Sequence, residues 1–295
     1  MQKLIVLFLL AASFCGRAIA APCDQSTLAN APAPAQISPP LVPGAPALQL
    51  AYHATFTGGS LDCFMDRIRP TPQALQKGDG QVPGETVSFT GGTQGLVLGL
   101  TAPSPIPPIP GHAADDTQTP SVGVFSTGLN YGPGTFFSAR ATFKAPNGPF
   151  GDGAWAVGLN ARTGGKDDLW SEHRLNVTLK FKKGAASLNV FDDGASAGTS
   201  PVPAGFYKSI ISSSQPFTIE LIVNRMPGLG AAILTTAGAA PVTLQFALKN
   251  FGPKSGPVVN AIGPALATCC VEAMPLSVEL TDFQILVHPS TPPRS

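Results

Sequence analysis

GTFFSARATFK, running from Gly134 to Lys144, sets Phe137, Ala139, Ala141 and Phe143 on one side of a two-residue repeat. Phe136, Ser138, Arg140, Thr142 and Lys144 fall on the other. Successive side chains of an extended chain point to opposite faces, so this alternation is that of a strand with one buried face. RLNVTLKF, from Arg174 to Phe181, repeats it, with Leu175, Val177, Leu179 and Phe181 against Arg174, Asn176, Thr178 and Lys180. Outward from these two segments the chain falls into short β-prone runs bounded by Gly, Pro, Asn or Asp: 52–57, 86–90, 96–101, 121–127, 153–161, 186–192, 206–212, 217–224, 230–235, 242–248 and 276–287. Helical periodicity is nearly absent. So many strands without helices to cover parallel sheets imply an all-β fold, an antiparallel β-sandwich.

Composition agrees with that architecture. Of 295 residues, 32 are Gly and 31 Pro, so turns are abundant, while 43% are apolar, enough for a sizeable core. Only 12% are charged, about half the usual share. The formal net charge is +1 and no Lys/Arg cluster is present, which argues against nucleic acid as a partner, because phosphate binding needs a concentrated basic surface.

The N-terminus has the pattern of an export signal. Lys3 precedes an apolar run from Leu4 to Ala12, and Ala18-Ile19-Ala20 offers small residues before Ala21. Cleavage is expected after Ala20, giving a secreted or periplasmic protein. Loss of Lys3 and Arg17 with the signal moves the balance from +1 to −1. The run is too short to span a bilayer, which takes about 20 apolar residues, so no membrane span is expected. Residues 21–48 form a Pro/Ala-rich leader that keeps the backbone extended, residues 49–288 the sandwich domain, and 289–295 a tail. A second Pro-rich stretch, 103–120, reads as a long surface loop.

Removing the signal leaves Cys23, Cys63, Cys269 and Cys270, an even set bound for an oxidising compartment, where disulfides are the expected use. Adjacent Cys269 and Cys270 rarely close on each other, so each is expected to reach back separately to Cys23 or Cys63, with either pairing open. Bridges closing loops this long stabilise by about 4–5 kcal/mol in the chain-entropy account. No Cys/His spacing supports zinc.

FSTGLNYG (Phe125 to Gly132), then Phe137-Ser138-Ala139-Arg140-Ala141, then Lys144-Ala145-Pro146-Asn147-Gly148 resembles a segment of the concanavalin A-like lectin/glucanase jelly rolls, of laminarinase and lichenase type. The closing run around Glu279-Leu280-Thr281-Asp282-Phe283 is similar to the last strand of those domains. The resemblance implies a jelly-roll sandwich, with residues 153–161 and then 174–181 in the places of the strand before the catalytic strand and of the catalytic strand itself. The glucanases carry Glu-x-Asp-x-x-Glu there, since retaining hydrolysis needs two carboxyl groups about 5–5.5 Å apart. This chain has no such motif; the polar positions are Arg174, Asn176 and Thr178. Asp167, Asp168 and Glu172 lie just before that strand as a displaced alternative. The Tyr/His, Arg and Gln motifs of the alginate-lyase branch are not recognisable either.

Sugar sites combine an aromatic face with planar amides, carboxylates or Arg. Trp155 alternates with Val157 and Leu159 and reads as core, whereas Trp170, beside Asp168, Glu172 and His173, is the candidate aromatic platform. Arg140 and the row Arg174, Asn176 and Thr178 are expected to share one broad face, giving ligand-binding candidates Arg140, Trp170, Glu172, His173, Arg174, Asn176 and Thr178. Asn176-Val177-Thr178 is also a glycosylation sequon. The four histidines, His53, His112, His173 and His288, are scattered, and His173 is the one placed to act as a base. No nucleophile elbow or phosphate-binding loop occurs. No cofactor is expected; Asp152 and Asp192-Asp193-Gly194 offer Ca²⁺ oxygens, although such sequences are commonly plain turns. The leading expectation is a secreted jelly-roll domain that binds a polysaccharide, an oligosaccharide or another extracellular ligand without hydrolysing it. The alternatives are a divergent glycoside hydrolase or lyase, and a structural or adhesive surface protein.

Overall fold

A computed structural model describes residues 48–54, 66–68, 86–91, 95–101, 121–132, 135–145, 154–163, 173–182, 184–213, 215–252, 259–269 and 275–288. Two antiparallel sheets carry nearly all of them. The eight-stranded sheet contains β1 (Gln49–Ala54), β3 (Thr86–Gly91), β4 (Leu96–Thr101), β6 (Phe136–Lys144), β11 (Phe217–Asn224), β12 (Leu229–Thr236), β13 (Val242–Ala247) and β15 (Pro275–His288). Their order is β13-β12-β11-β6-β15-β4-β3. The 14-residue β15 has β6 along one edge and, along the other, β4 at its N-terminal half and β1 at its C-terminal half.

The seven-stranded sheet contains β2 (Asp66–Ile68), β5 (Ser121–Tyr131), β7 (Ala154–Thr163), β8 (His173–Lys182), β9 (Ala185–Asp192), β10 (Ala195–Val202) and β14 (Val259–Cys269). Its order is β10-β9-β8-β7-β14-β5-β2. Strands 80 to 140 residues apart in sequence are thus neighbours, as β6 is of β11 and β15.

The alternation read from sequence is the one that packs. Phe137, Ala139, Ala141 and Phe143 of β6 and Leu175, Val177, Leu179 and Phe181 of β8 are all buried in the layer between the sheets. Trp155 is 3% exposed and stacks on Phe181 with ring centroids 4.0 Å apart, the core role expected of it. The edge strands β10 and β13 close one side of the sandwich, where Gly198 lies against Leu244.

The structure corrects two readings of local sequence. The run 206–212, expected as a strand, lies within helix α1 (Ala204–Ser213). Phe206, Tyr207, Ile210 and Ile211 recur at helical spacing; Phe206 and Ile210 are buried, and Tyr207 meets the ring of Phe181. A strand would have split that apolar set between two faces, so burial favours the helix despite the β-branched residues. Three strands also lie where none was expected, the three-residue β2 and the longer β10 and β14. β10 is an exposed edge, poor in β-branched residues and containing Pro201, as edges are. β14 holds Gly263 and Pro264 centrally; they pair with Asn160 and Leu159 of β7, but the ladder to β5 lapses at both, leaving room for a residue without an N–H.

The loops are held from inside. Asp192, buried at the end of β9, accepts the backbone N–H groups of Lys249, Asn250 and Phe251 at 2.6, 2.8 and 3.0 Å. Arg225, wholly buried, donates to the carbonyls of Phe251 and Gly252 and lies over the Phe251 ring. One carboxylate and one guanidinium therefore take the donors and acceptors of the same loop. Asp193 and Gly194 both have positive φ, 56° and 84°, and make the two-residue β9–β10 hairpin turn. Asp192-Asp193-Gly194 thus forms a turn and a loop anchor. Among the described residues, no three His, Cys, Asp or Glu side chains gather as a metal site. Asp152 lies outside the described residues, as do Cys23, Cys63 and Cys270, while Cys269 ends β14.

Candidate functional site

Each sheet has one face in the core and one turned away from it, and the sequence candidates divide between the two outward faces. Arg140 belongs to the eight-stranded sheet, whereas Arg174, Asn176 and Thr178 lie on β8 of the seven-stranded sheet. They do not share a face, contrary to the expectation. β6 and β8 have the same alternation and are close in sequence, but β6 pairs with β11 and β15, so its polar side points the opposite way.

Around Arg140 the outward face is packed and internally bonded except at Gln284, opposite Arg140, whose buried Oε1 has no partner among the described residues. Arg140 Nη2 donates to Glu220 Oε2 at 3.1 Å and Ser138 Oγ to Glu220 Oε1 at 2.7 Å, with all three residues buried. Next to them Thr142 and Thr218 share a hydroxyl hydrogen bond, and His53 Nε2 meets Asp282 at 2.6 Å. Glu279 accepts the Gly95 N–H. This polar patch was missed in the sequence apart from Arg140. Its one signal was Glu220, a single charge in the apolar strand FTIELIVN.

The seven-stranded sheet presents four rows across its outward face. From β14 to β10 one runs Gly263, Asn160, Asn176, Phe191 and Ser196, and the next Ala265, Gly158, Thr178, Asn189 and Thr199. A third runs Ala267, Ala156, Lys180, Ser187 and Pro201, and at the loop end Arg162 faces Arg174. In the middle rows the β14 and β7 side is therefore Gly and Ala apart from Asn160, and the β8 and β9 side carries amides, hydroxyls, Lys180 and Phe191. At Gly158 the floor must be glycine, since a Cβ would run into the Val177 carbonyl oxygen. Asn189 is held fully in place: its Nδ2 donates to Ser187 O and Oγ, and its Oδ1 accepts from Thr199, all at 3.0 Å. Asn176 differs. Its Oδ1 is buried and has no hydrogen-bond partner among the described residues.

At the loop end, His173 Nδ1 lies 3.0 Å from Asp193 Oδ2, and the Asp193 N–H donates to the Arg174 carbonyl. Burial, reinforced by the Arg174 charge, lowers the Arg162 guanidinium to about 9. Burial likewise lowers Arg174, opposed by the nearby Asp193 carboxylate. Two guanidinium groups are thus held side by side. Trp170 and Glu172, with Asp167 and Asp168, lie outside the described residues.

The architecture is an all-β, two-sheet antiparallel sandwich of jelly-roll type. No family model matches the sequence, and no curated protein matches it either. Among solved structures it is similar to an endo-1,3-β-glucanase from Streptomyces sioyaensis, with TM-score 0.50 and 11% identity over 84% of this chain and 100% of that one. It also matches peanut lectin (TM-score 0.46, 10% identity, 77% of this chain and 99% of that) and a Bauhinia forficata lectin in complex with GalNAc (TM-score 0.44, 9% identity, 77% and 100%). At these identities the likeness is one of fold. Among the described residues no helix is long and apolar enough to cross a membrane.

Proposed function

We propose that the protein is an exported jelly-roll domain that binds a glycan without cleaving it, on the outward face of β7, β8 and β9. The observation that carries this reading is the pairing of a flat Gly/Ala floor with a bank of Asn160, Asn176, Thr178 and Asn189, in which the Asn176 oxygen is buried and accepts nothing among the described residues. A buried acceptor left unmet costs about 1–3 kcal/mol, and a ligand hydroxyl donating to it recovers that cost. Planar amides and hydroxyls held by a rigid sheet suit sugar hydroxyl groups. Hydrolysis would need paired carboxyl groups, but the outward positions of β8 carry Arg174, Asn176, Thr178 and Lys180. The fold itself serves many activities, so the reading rests on the residues of this face.

The test is affinity electrophoresis on a polysaccharide panel, with reducing-end release measured in parallel. Retardation by at least one polysaccharide, lost in Asn176→Ala and without release of reducing ends, is the expected result. Reducing ends released by wild type and abolished in Glu172→Gln would replace binding with catalysis by the displaced acids. Export is tested by N-terminal sequencing of the protein recovered outside the cytosol, with Ala21 expected first.

A further inference from the structure

Phe191 stands apart from the other aromatic residues of the sandwich. Phe137, Phe143, Phe181, Phe217 and Phe283 fill the layer between the sheets. On β9 it is Leu188 and Val190 that enter that layer, so Phe191, next in the alternation, points out of it and is partly exposed. It lies directly opposite Asn176 of β8 and Ser196 of β10, partners whose Cβ atoms are about 5 Å away in an antiparallel ladder. Asn189, two residues back, shares its face. These register neighbours are short and polar, and Phe191 has no ring partner among the described residues. An apolar ring is therefore set into a field of amides and hydroxyls.

The charges nearby select the kind of ring this field would take. Neither the row of Phe191 nor the adjoining row of Thr178 contains a charged residue. Lys180, opposite Ser187, lies four residues further along the sheet, about 13 Å away. At the other end the Arg174 charge already has the Asp193 carboxylate beside it. A pyranose has a face of C–H groups and a rim of hydroxyls; an aromatic ring covers the first, and amides and hydroxyls meet the second. A carboxylate or sulfate laid there would meet the negative face of the aromatic quadrupole instead. Resting on the glycan-binding reading above, we infer that Phe191 is the stacking platform of that site and that the ligand is a polysaccharide of neutral pyranose rings. One ring lays its C–H face on Phe191 and turns its rim hydroxyls to Asn176 and Thr178. The platform is then carried by β9, in register with the amides, where the sequence pointed to Trp170.

The test is affinity electrophoresis of the full chain in gels holding neutral laminarin, neutral galactomannan or acidic polygalacturonate, at low and high salt, with Phe191→Ala and Phe191→Trp beside wild type. A neutral polysaccharide is expected to retard wild type equally at both salt concentrations, because no ion pair is formed. Phe191→Ala should weaken that binding about tenfold, and Phe191→Trp should keep it. Titrating Phe191→Trp with the retarding polysaccharide should also give a saturable change in indole emission beyond that of wild type. If Phe191→Ala melts early, that emission decides alone, and its absence overturns the platform. Retardation kept in Phe191→Ala but lost in Asn176→Ala would overturn the platform and leave glycan binding standing. Loss in both Phe191 variants would reduce the ring to a packing residue. Polygalacturonate as the tightest ligand, released by salt, would overturn the neutral ligand. No retardation by any polysaccharide would overturn the proposed function together with this inference.

Discussion

The two outward faces use the same polar residue types to opposite ends. On the eight-stranded sheet the charges are spent on one another: Glu220 takes both Ser138 and Arg140, and Asp282 takes His53. On the seven-stranded sheet cations collect on β7 and β8, the Asn176 oxygen accepts nothing among the described residues, and the floor is cleared to Gly and Ala. Polar alternation on a strand thus marks the face turned from the core and leaves open whether that face is structural or receptive. Gln284, across from Arg140, also keeps a buried Oε1 without a partner among the described residues, so the faces are separated by the Gly and Ala positions of one and the paired Glu220 and Asp282 of the other.

The largest effect is expected where the closed network is cut. Glu220→Ala leaves Arg140 and Ser138 buried without that carboxylate and should cost about 3 kcal/mol in urea unfolding, because a buried charge loses its counter-ion. A cost below 1 kcal/mol would show that the network is not what holds this face. Gly158→Ala, which drives a methyl into the Val177 carbonyl, should cost about 2 kcal/mol and weaken polysaccharide retardation as well, since β7 and β8 must separate.

Much of this was readable before any coordinates. The alternation at 134–144 and 174–181 gave strands in the right places because burial on one side leaves a period of two. The 206–212 run misled because its β-branched residues mask an i, i+4 stripe, and β14 was hidden by Gly263 and Pro264. The site was legible along one strand only. Arg174, Asn176 and Thr178 share a face by local geometry, whereas placing Arg140 requires knowing that β6 pairs with strands 80 and 140 residues later. No local pattern carries that. Asn160, Asn189 and Arg162 enter the site through ladder register, which is also nonlocal.

Smaller effects sharpen the contrast. Asn176→Ala should raise stability by about 1 kcal/mol, since it removes a buried acceptor whose desolvation is uncompensated in the folded state, yet cut glycan affinity about tenfold. A stability loss without an affinity loss would make Asn176 structural.

Arg162 gives an effect confined to alkaline pH. With its folded-state value lowered to about 9, well below the ordinary guanidinium range, the unfolded chain binds more protons above that pH, so Arg162 contributes a stability gain as pH rises through about 9. Tyr131 works the other way. Burial pushes it up to about 12 from 10, so the folded chain keeps a proton that the unfolded one loses, and stability falls over that window. Comparing wild type with Arg162→Met isolates the first contribution. The wild-type advantage should be flat below pH 9 and rise above it by at most about 1.4 kcal/mol per pH unit.

Whether the receptive face is that of the seven-stranded sheet is decided by backbone amide chemical-shift mapping during titration with a polysaccharide that retards the protein. Saturable shifts are expected on β7, β8 and β9, centred on Asn160, Asn176, Thr178 and Asn189, with β6, β11 and β15 unmoved. Shifts centred on Ser138, Arg140 and Glu220, with β8 silent, would contradict it.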